Sequence, residues 1–287
     1  MGGAGFVTSV YLAYGRTLID NCEDAWNEGG SGSITSSLDS SDYQVGAGSA
    51  KLLATGSISA NTLLQSEVVS ANVTAHTHVV CWSKVNNANL LTSGYFQLLL
   101  DESANCASPD ESLNLGTHVI NQWRSNVLTM NSPSSLDAVI SVGCKVITDA
   151  MDSTMAIWLD EVFATTARSF SVLSVRGLDR PDDVVFWPPV QETLLDGTIY
   201  EDINAFRRRI TIDLKAMTST TDFNFIMTWL RNDYKYVISD NDIVRVVLEQ
   251  PDSHAFEWLS GLDLTKGATI TVLEKAVRTA HPASWGY

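Results

Sequence analysis

The sequence predicts a mainly β protein with two domains. Over the first 167 residues, short apolar runs alternate with clusters of Gly, Ser, Thr and Asn. They give roughly eight to ten strands with turn signals every ~8–12 residues, which is typical of a β-sandwich. A chain of 287 residues is also long for one domain. We therefore expect an N-terminal arm over residues 1–16, a sandwich over residues 17–167 and a small α+β domain over residues 168–287.

The net charge of −15 is unevenly distributed. Residues 1–167 hold 5 Lys+Arg and 16 Asp+Glu, a net of −11, and the remaining 13 and 17 give −4 in residues 168–287. An acidic surface repels phosphate backbones, so we expect no nucleic-acid partner. No apolar run approaches the ~20 residues that span a bilayer, so we expect no membrane insertion. The four cysteines lack zinc-ligand spacing, and we expect free thiols, or disulfides in an oxidising compartment.

The strands of the first domain are marked by apolar residues between turn residues. Polar stretches at residues 29–33 and 36–42 separate the first of them. In chain order, we expect strands within residues 18–26, 46–53, 79–85, 95–101, 122–130, 138–143 and 156–163.

The last of these strands contains an acidic pair, Asp160 and Glu161, between Leu159 and Val162. Acidic residues are depleted from strand interiors, and buried charges need partners. The pair therefore indicates a turn, a cation or a role specific to the fold.

The second domain combines strands with one helix. Pro188 and Pro189 stop an apolar strand that begins at residue 184, which confines it to an edge or a strand end. Further strands are expected within residues 204–214, 234–238, 243–249 and 268–275. Between them, Thr220, Thr221 or Asp222 is expected to cap an amphipathic helix. Its apolar stripe is Phe223, Ile226, Met227, Trp229 and Leu230.

No catalytic residue is predicted. The sequence lacks G-x-S-x-G, P-loop and H-E-x-x-H motifs. A glycosidase needs two carboxylates that face each other across a sugar, whereas neighbours such as Asp101 and Glu102 point to opposite faces of a strand. We therefore expect a protein that is not an enzyme, and a glycan-cleaving enzyme ranks third among the hypotheses.

The first domain resembles the jelly-roll sandwiches of carbohydrate-binding modules and related lectin-like domains. Four segments carry the resemblance in the same order: the acidic opening at residues 18–26, the Gly-Ser-Lys-Leu strand at 46–53, the Trp strand at 122–130 and the closing strand at 156–163. The resemblance implies one structural Ca²⁺ ion, held by Asp20 or Glu23, by Asp160 and by a carbonyl near Ser49. In the alternative interpretation, Asp160 bonds to the backbone or to Lys51 and no metal binds.

The same resemblance directs attention to exposed aromatic residues, because a pyranose ring stacks on Trp or Tyr. The family pattern implies that Trp82 and Trp123 are buried in the core. Trp26 and Tyr43 are then the candidate carbohydrate-binding residues.

The whole chain looks like a structural protein of a tailed-phage virion, from the tail, baseplate or neck. This resemblance comes from the apolar run at residues 186–191, the strand with Arg207, Arg208 and Arg209, and the helix with Trp229. It implies localisation in the virion, after assembly in the host cytoplasm, with other copies of the chain, other virion proteins and a host-surface glycan as partners. The three arginines are expected at a subunit interface, paired with the acidic first domain of a neighbour. The alternative is a carbohydrate-binding module of a secreted or surface protein.

Overall fold

The computed structural model describes residues 9–148, 151–176, 184–186, 192–193, 199–200, 206–215, 219–239, 242–248 and 268–275. The chain divides into two compact units. Residues 15–167 form the central unit, and residues 1–14 together with 168–287 form the terminal unit.

Strands account for most of the described elements. Those that begin before residue 150 are β1 (Ser9–Asp20), β2 (Gly29–Gly30), β3 (Ile34–Asp39), β4 (Ser49–Ala54), β5 (Thr62–Ala71), β6 (His78–Val85), β7 (Phe96–Asp101), β8 (Glu111–Asn114), β9 (Arg124–Thr129) and β10 (Val139–Val146). Short 3₁₀ helices cover Ala88–Leu90, Ala104–Cys106 and Pro133–Ser135.

The later elements include a single described α-helix. They are β11 (Ala156–Arg176), β12 (Val184–Phe186), β13 (Glu192–Thr193), β14 (Ile199–Tyr200), β15 (Phe206–Leu214), α1 (Thr220–Arg231), β16 (Lys235–Ser239), β17 (Asp242–Leu248) and β18 (Ala268–Glu274). The protein is thus mainly β, as the sequence predicts.

The central unit has two antiparallel sheets with a shared core. One sheet has the strand order β3-β4-β11-β6-β9, and the other has the order β2-β5-β10-β7-β8. Alternate residues of both sheets, such as Leu52 and Leu159 in the first and Leu98 and Val142 in the second, belong to one buried cluster. This arrangement is that of a β-sandwich.

A bulge interrupts β11 at the predicted acidic pair. Asp160 lies opposite Trp82 of β6, and the register then shifts before Phe163. Glu161 has a φ of 46°, which a residue with a Cβ rarely adopts outside such irregularities. Its carboxylate accepts a hydrogen bond of 2.7 Å from Arg16 Nη2. The acidic pair therefore has a role specific to the fold, because it marks a kink in the strand.

In the terminal unit the strands form a closed cycle. Their order is β12-β15-β18-β17-β16-β1. The cycle is closed by β11, which neighbours β1 on one side and pairs with β15 on the other. Such closure is typical of a small barrel. The described part of the predicted arm belongs to β1, where Tyr11 lies opposite Ile238 of β16. β12 pairs only with β15 among the described strands, consistent with the edge position that its prolines predict.

The predicted amphipathic helix is present as α1. Its buried residues are Ile226, Trp229 and Leu230, which belong to the core of the terminal unit. The predicted cap is wrong by one residue, because Ser219 Oγ accepts the hydrogen bond from Thr221 N at 3.2 Å. Among the described residues, no helix is long and apolar enough to cross a membrane.

Candidate functional site

One face of the β3-β4-β11-β6-β9 sheet carries tryptophans and lysines on neighbouring strands. We call it the tryptophan face and define it by Trp82, Trp123, Trp158, Lys51 and Lys84. Trp158 of β11 lies opposite Lys51 of β4 on one side and Lys84 of β6 on the other. The residues that flank Trp158, Ile157 and Leu159, point into the core, so strand alternation places this face on the outer side of the sheet.

Trp158 is held between the two lysines. Lys51 Nζ lies 4.9 Å and Lys84 Nζ 4.4 Å from the centre of its ring, within the range of cation–π attraction. Trp158 Nε1 donates a 2.9 Å hydrogen bond to Asp39 Oδ2, and the side chain is only 7% exposed. Trp158 is therefore a structural part of this face and not an open platform.

Trp123 is the more accessible of these rings. It directly precedes β9, the last strand of the sheet, and it is half-buried, not buried in the core as expected. Its Nε1 donates a 2.8 Å hydrogen bond to Asp42 Oδ1, and Lys84 Nζ lies 5.4 Å from its ring centre. Lys84 also forms an ion pair with Asp42. These contacts fix the indole at the edge of the tryptophan face.

The loop of residues 40–48, which we call the clamp loop, is bonded to this face. Asp160 Oδ2 accepts hydrogen bonds from Gln44 N at 2.7 Å and from Val45 N at 2.9 Å. Glu23 Oε1 accepts another from Ala47 N at 2.8 Å. Two carboxylates from distant positions in the sequence thereby anchor one loop.

Gly46 makes this anchoring possible. Its φ is +72°, a conformation that favours glycine. A Cβ at this position would lie 1.9 Å from Glu23 Oε1. The positive φ therefore favours glycine at residue 46, and a Cβ there would also push the Glu23 carboxylate away from Ala47 N.

The structure brings three of the four predicted metal ligands to the clamp loop. Glu23 and Asp160 hold it as described, and Ser49 Oγ donates a 2.6 Å hydrogen bond to Asp42 O. The fourth, Asp20, instead accepts a bond from Cys22 N in its own turn. The alternative in which Asp160 bonds to the backbone thus matches its observed contacts.

In their observed positions, these residues do not form a coordination shell for Ca²⁺. Asp160 Oδ2 and Glu23 Oε1 both accept backbone N–H groups, and Asp160 Oδ1 is the buried oxygen left without a partner. Among the described residues, no three His, Cys, Asp or Glu side chains converge as a metal site would need. The Ca²⁺ ion stays a prediction.

Burial dominates the electrostatics of Asp160. It raises the pKa of this carboxyl to about 6, although the N–H groups of Val45 and Gln44 favour the ionised form. Burial likewise raises the pKa of Glu161, against the attraction of Arg16. The pKa of Asp39 is lowered, first by the hydrogen bond from Ser41 and then by that from Trp158.

The two predicted carbohydrate-binding residues have opposite environments. Trp26 is 0% exposed and belongs to the core, so its expected exposure is wrong. Tyr43 is 40% exposed and lies in the clamp loop, next to Asp42. Tyr43 directly follows Asp42, whose carboxylate accepts the hydrogen bond from the Trp123 indole.

The three arginines of the predicted subunit interface belong to β15. Arg207 and Arg208 lie opposite Val185 and Val184, and Arg209 lies opposite Leu273. The side chains of Arg207 and Arg208 are outside the described part of the structure, and Arg209 is half-buried. Their role at an interface stays a prediction.

No family model and no curated protein matches this chain. Among solved structures, it is similar to the family 30 carbohydrate-binding module of a cellulosomal cellulase from Clostridium thermocellum, with 9% identity, a TM-score of 0.36, and coverage of 53% of this chain and 97% of that one. It is also similar to a family 29 carbohydrate-binding module in complex with mannohexaose, with 11% identity, a TM-score of 0.27, and coverage of 53% and 92%.

Proposed function

We propose that this chain is a non-catalytic carbohydrate-binding protein that holds a sugar at the edge of the tryptophan face. The observation that carries the proposal is the partly exposed Trp123, fixed by Asp42, which precedes the exposed Tyr43. The C–H face of a pyranose stacks on such rings, and its hydroxyl groups need polar partners beside them.

Asp42 is a suitable polar partner for a bound sugar. The carboxylate of Asp42 is 40% exposed although it also bonds to Trp123 and Lys84. Carboxylates accept hydrogen bonds through several lone pairs, so Asp42 can accept a further one from a sugar hydroxyl. The clamp loop restricts the movement of Tyr43 before binding, which lowers the entropic cost of association.

A glycan array probed with the protein and two variants tests this proposal. Tyr43→Ala and Trp123→Ala should each weaken binding by about tenfold, because each removes one stacking surface. Tyr234→Ala is the matched control, since Tyr234 is also an exposed tyrosine, at 47%, but belongs to the terminal unit. Binding that survives in both site variants, or none to any glycan in the wild type, contradicts the proposal.

We also propose that the predicted Ca²⁺ ion binds next to Asp160. The buried Oδ1 atom without a partner is the reason, because such an oxygen needs a proton donor or a cation. The expected result is a rise in melting temperature with millimolar CaCl₂ that is reversed by EGTA and absent in Asp160→Asn. A melting curve that does not change when calcium is added contradicts the proposal that the ion binds.

A further inference from the structure

A buried lysine lies at the edge of the tryptophan face. Lys84 follows Trp82 by two residues on β6, so its side chain points to the same outer side of the sheet, yet only 5% of that side chain is exposed. Burial lowers the pKa of its ammonium group from the ordinary 10.5, although Asp39 favours the charged form. A buried ammonium needs partners that offset its lost hydration, so those partners indicate what the lysine does.

The partners of Lys84 form a closed triangle with it. Its Nζ atom pairs with Asp42 Oδ2 and lies 5.4 Å from the ring centre of Trp123. The third side of the triangle is the 2.8 Å hydrogen bond that Trp123 Nε1 donates to Asp42 Oδ1. Each of the three groups therefore contacts the other two, and the two carboxylate oxygens of Asp42 are divided between the indole and the ammonium group.

Lys84 is the least exposed member of this triangle. The side chain of Asp42 is 40% exposed and Trp123 is half-buried, so both reach solvent. Lys84 Nζ also lies 4.4 Å from the ring centre of Trp158, which a hydrogen bond to Asp39 holds in turn. Lys84 thus connects the exposed edge of the tryptophan face to its buried part. A side chain held by several partners can orient the groups that a ligand meets.

We propose that Lys84 is the positioning residue of the glycan site, and that its ammonium group holds the Trp123 ring and the Asp42 carboxylate in the orientation in which a sugar meets them. This inference rests on the proposed function. It gives Lys84 no contact with the sugar, because the residue is buried. Lys84 acts by fixing two sugar-binding groups before association, which lowers the entropic cost of binding.

The positive charge of Lys84 is essential to this role. The cation–π attraction to Trp123 and the ion pair with Asp42 are both lost when the amine is neutral. Charged residues that share the tryptophan face with Lys84 are Asp42 in the clamp loop, Asp39 at the end of β3, Lys51 of β4 and Asp160 of β11. Because burial lowers the pKa of Lys84, its charge is lost as the pH rises through a value below 10.5.

The test compares Lys84→Met, which removes the charge, with Lys84→Arg, which keeps it and still stacks on aromatic rings. The probes are neutral gluco-, manno-, xylo- and galacto-oligosaccharides, titrated by calorimetry. Lys84→Met should weaken binding by about tenfold, and Lys84→Arg by no more than about threefold. The wild type should also lose affinity relative to Lys84→Arg as the pH rises towards 10.5, because the guanidinium group stays charged. Any effect of the Tyr43 hydroxyl group is common to both proteins.

A second measurement needs no sugar. The indole N–H signal of Trp123 in a ¹H–¹⁵N NMR spectrum, identified by its loss in Trp123→Ala, should shift in Lys84→Met. Lys145→Met is the matched control and should leave this signal in place, because Lys145 is also a half-buried lysine of the central unit but belongs to β10 of the other sheet. If Lys84→Met does not fold, the comparison of the wild type with Lys84→Arg at alkaline pH decides.

The outcomes separate this inference from the proposed function. A sugar affinity and an indole signal that are both unchanged in Lys84→Met overturn the inference and leave the proposed function intact. Equal losses of affinity in Lys84→Met and Lys84→Arg also overturn it, since packing and not charge is then responsible. A wild type that binds none of these sugars overturns the proposed function, and the indole signal then decides alone whether Lys84 positions Trp123.

Discussion

The carboxyl group of Asp160 is completely buried, and it accepts the hydrogen bonds that hold the clamp loop. Burial raises its pKa to about 6 from an ordinary value of 3.8, so the folded protein binds this proton more tightly than the unfolded chain. The corresponding stability is fully present below the ordinary value and is lost as the pH rises through about 6.

Asp160→Asn should remove this pH dependence. The difference in free energy of unfolding, variant minus wild type, should become more positive between pH 4 and pH 7, by at most about 3 kcal/mol. Urea denaturation at several pH values measures it. Asp137→Asn is the control for the loss of one negative charge, because Asp137 is exposed. A difference that does not vary with pH means that ionisation of Asp160 is not costly in the folded protein.

Trp123 shows why the burial of single residues could be predicted only in part from the sequence. Its aromatic strand was expected, and it is present as β9. Its half-exposed state depends on β9 being the last strand of its sheet, and the order of strands is set by pairing between distant segments. Trp26 was misjudged for the same kind of reason, because the core that buries it is formed by strands from distant parts of the sequence.

Among the elements, the clamp loop depends most on a single residue. Gly46→Ala should weaken glycan binding by about tenfold and lower stability by about 1–3 kcal/mol, since it adds both backbone strain and a clash with Glu23. Gly32→Ala is the matched control, because a Cβ at Gly32 would meet no atom within 4 Å. The glycan array measures the loss of binding, and a urea titration measures the loss of stability. If Gly46→Ala and Gly32→Ala lose binding and stability equally, the proposed role of the clamp loop is contradicted.

Helix α1 offers a separate test in the terminal unit. Ser219→Ala should destabilise it by about 1 kcal/mol, because Thr221 N loses its acceptor. Ser219→Asp should retain stability, since aspartate also caps and interacts favourably with the helix dipole. Circular dichroism during urea denaturation compares them. Equal losses in both variants mean that the cap is not the source of the effect.

The elements themselves were more predictable than the site. Periodicity located β6, β7, β9, β10 and α1 to within a few residues, because their apolar positions match the period of the element. It missed β5, where Thr62–Ala71 mixes polar and apolar residues, and it placed no strand at the polar β3. The clamp loop was beyond such reasoning, since its anchors Glu23 and Asp160 are separated from it by 24 and about 115 residues.

For the whole molecule, the distribution of charge bears on assembly. The first 167 residues carry a net charge of −11, and β15 contains three successive arginines. If copies associate, complementary charge favours contacts between β15 of one copy and the acidic sandwich of another. The predicted subunit interface depends on such contacts, and a monomeric binding module has no need of them.

Light scattering of the wild type and of Arg207→Gln/Arg208→Gln/Arg209→Gln separates these two possibilities. A closed oligomer that dissociates in the variant, and more readily at high salt in the wild type, is the result expected for charge-dependent assembly. Lys145→Gln is a control for the loss of positive charge elsewhere, since Lys145 lies on β10 of the central unit. A wild-type monomer that still binds glycan leaves the carbohydrate-binding function standing alone, because that function needs only Trp123, Tyr43 and the loop that holds them.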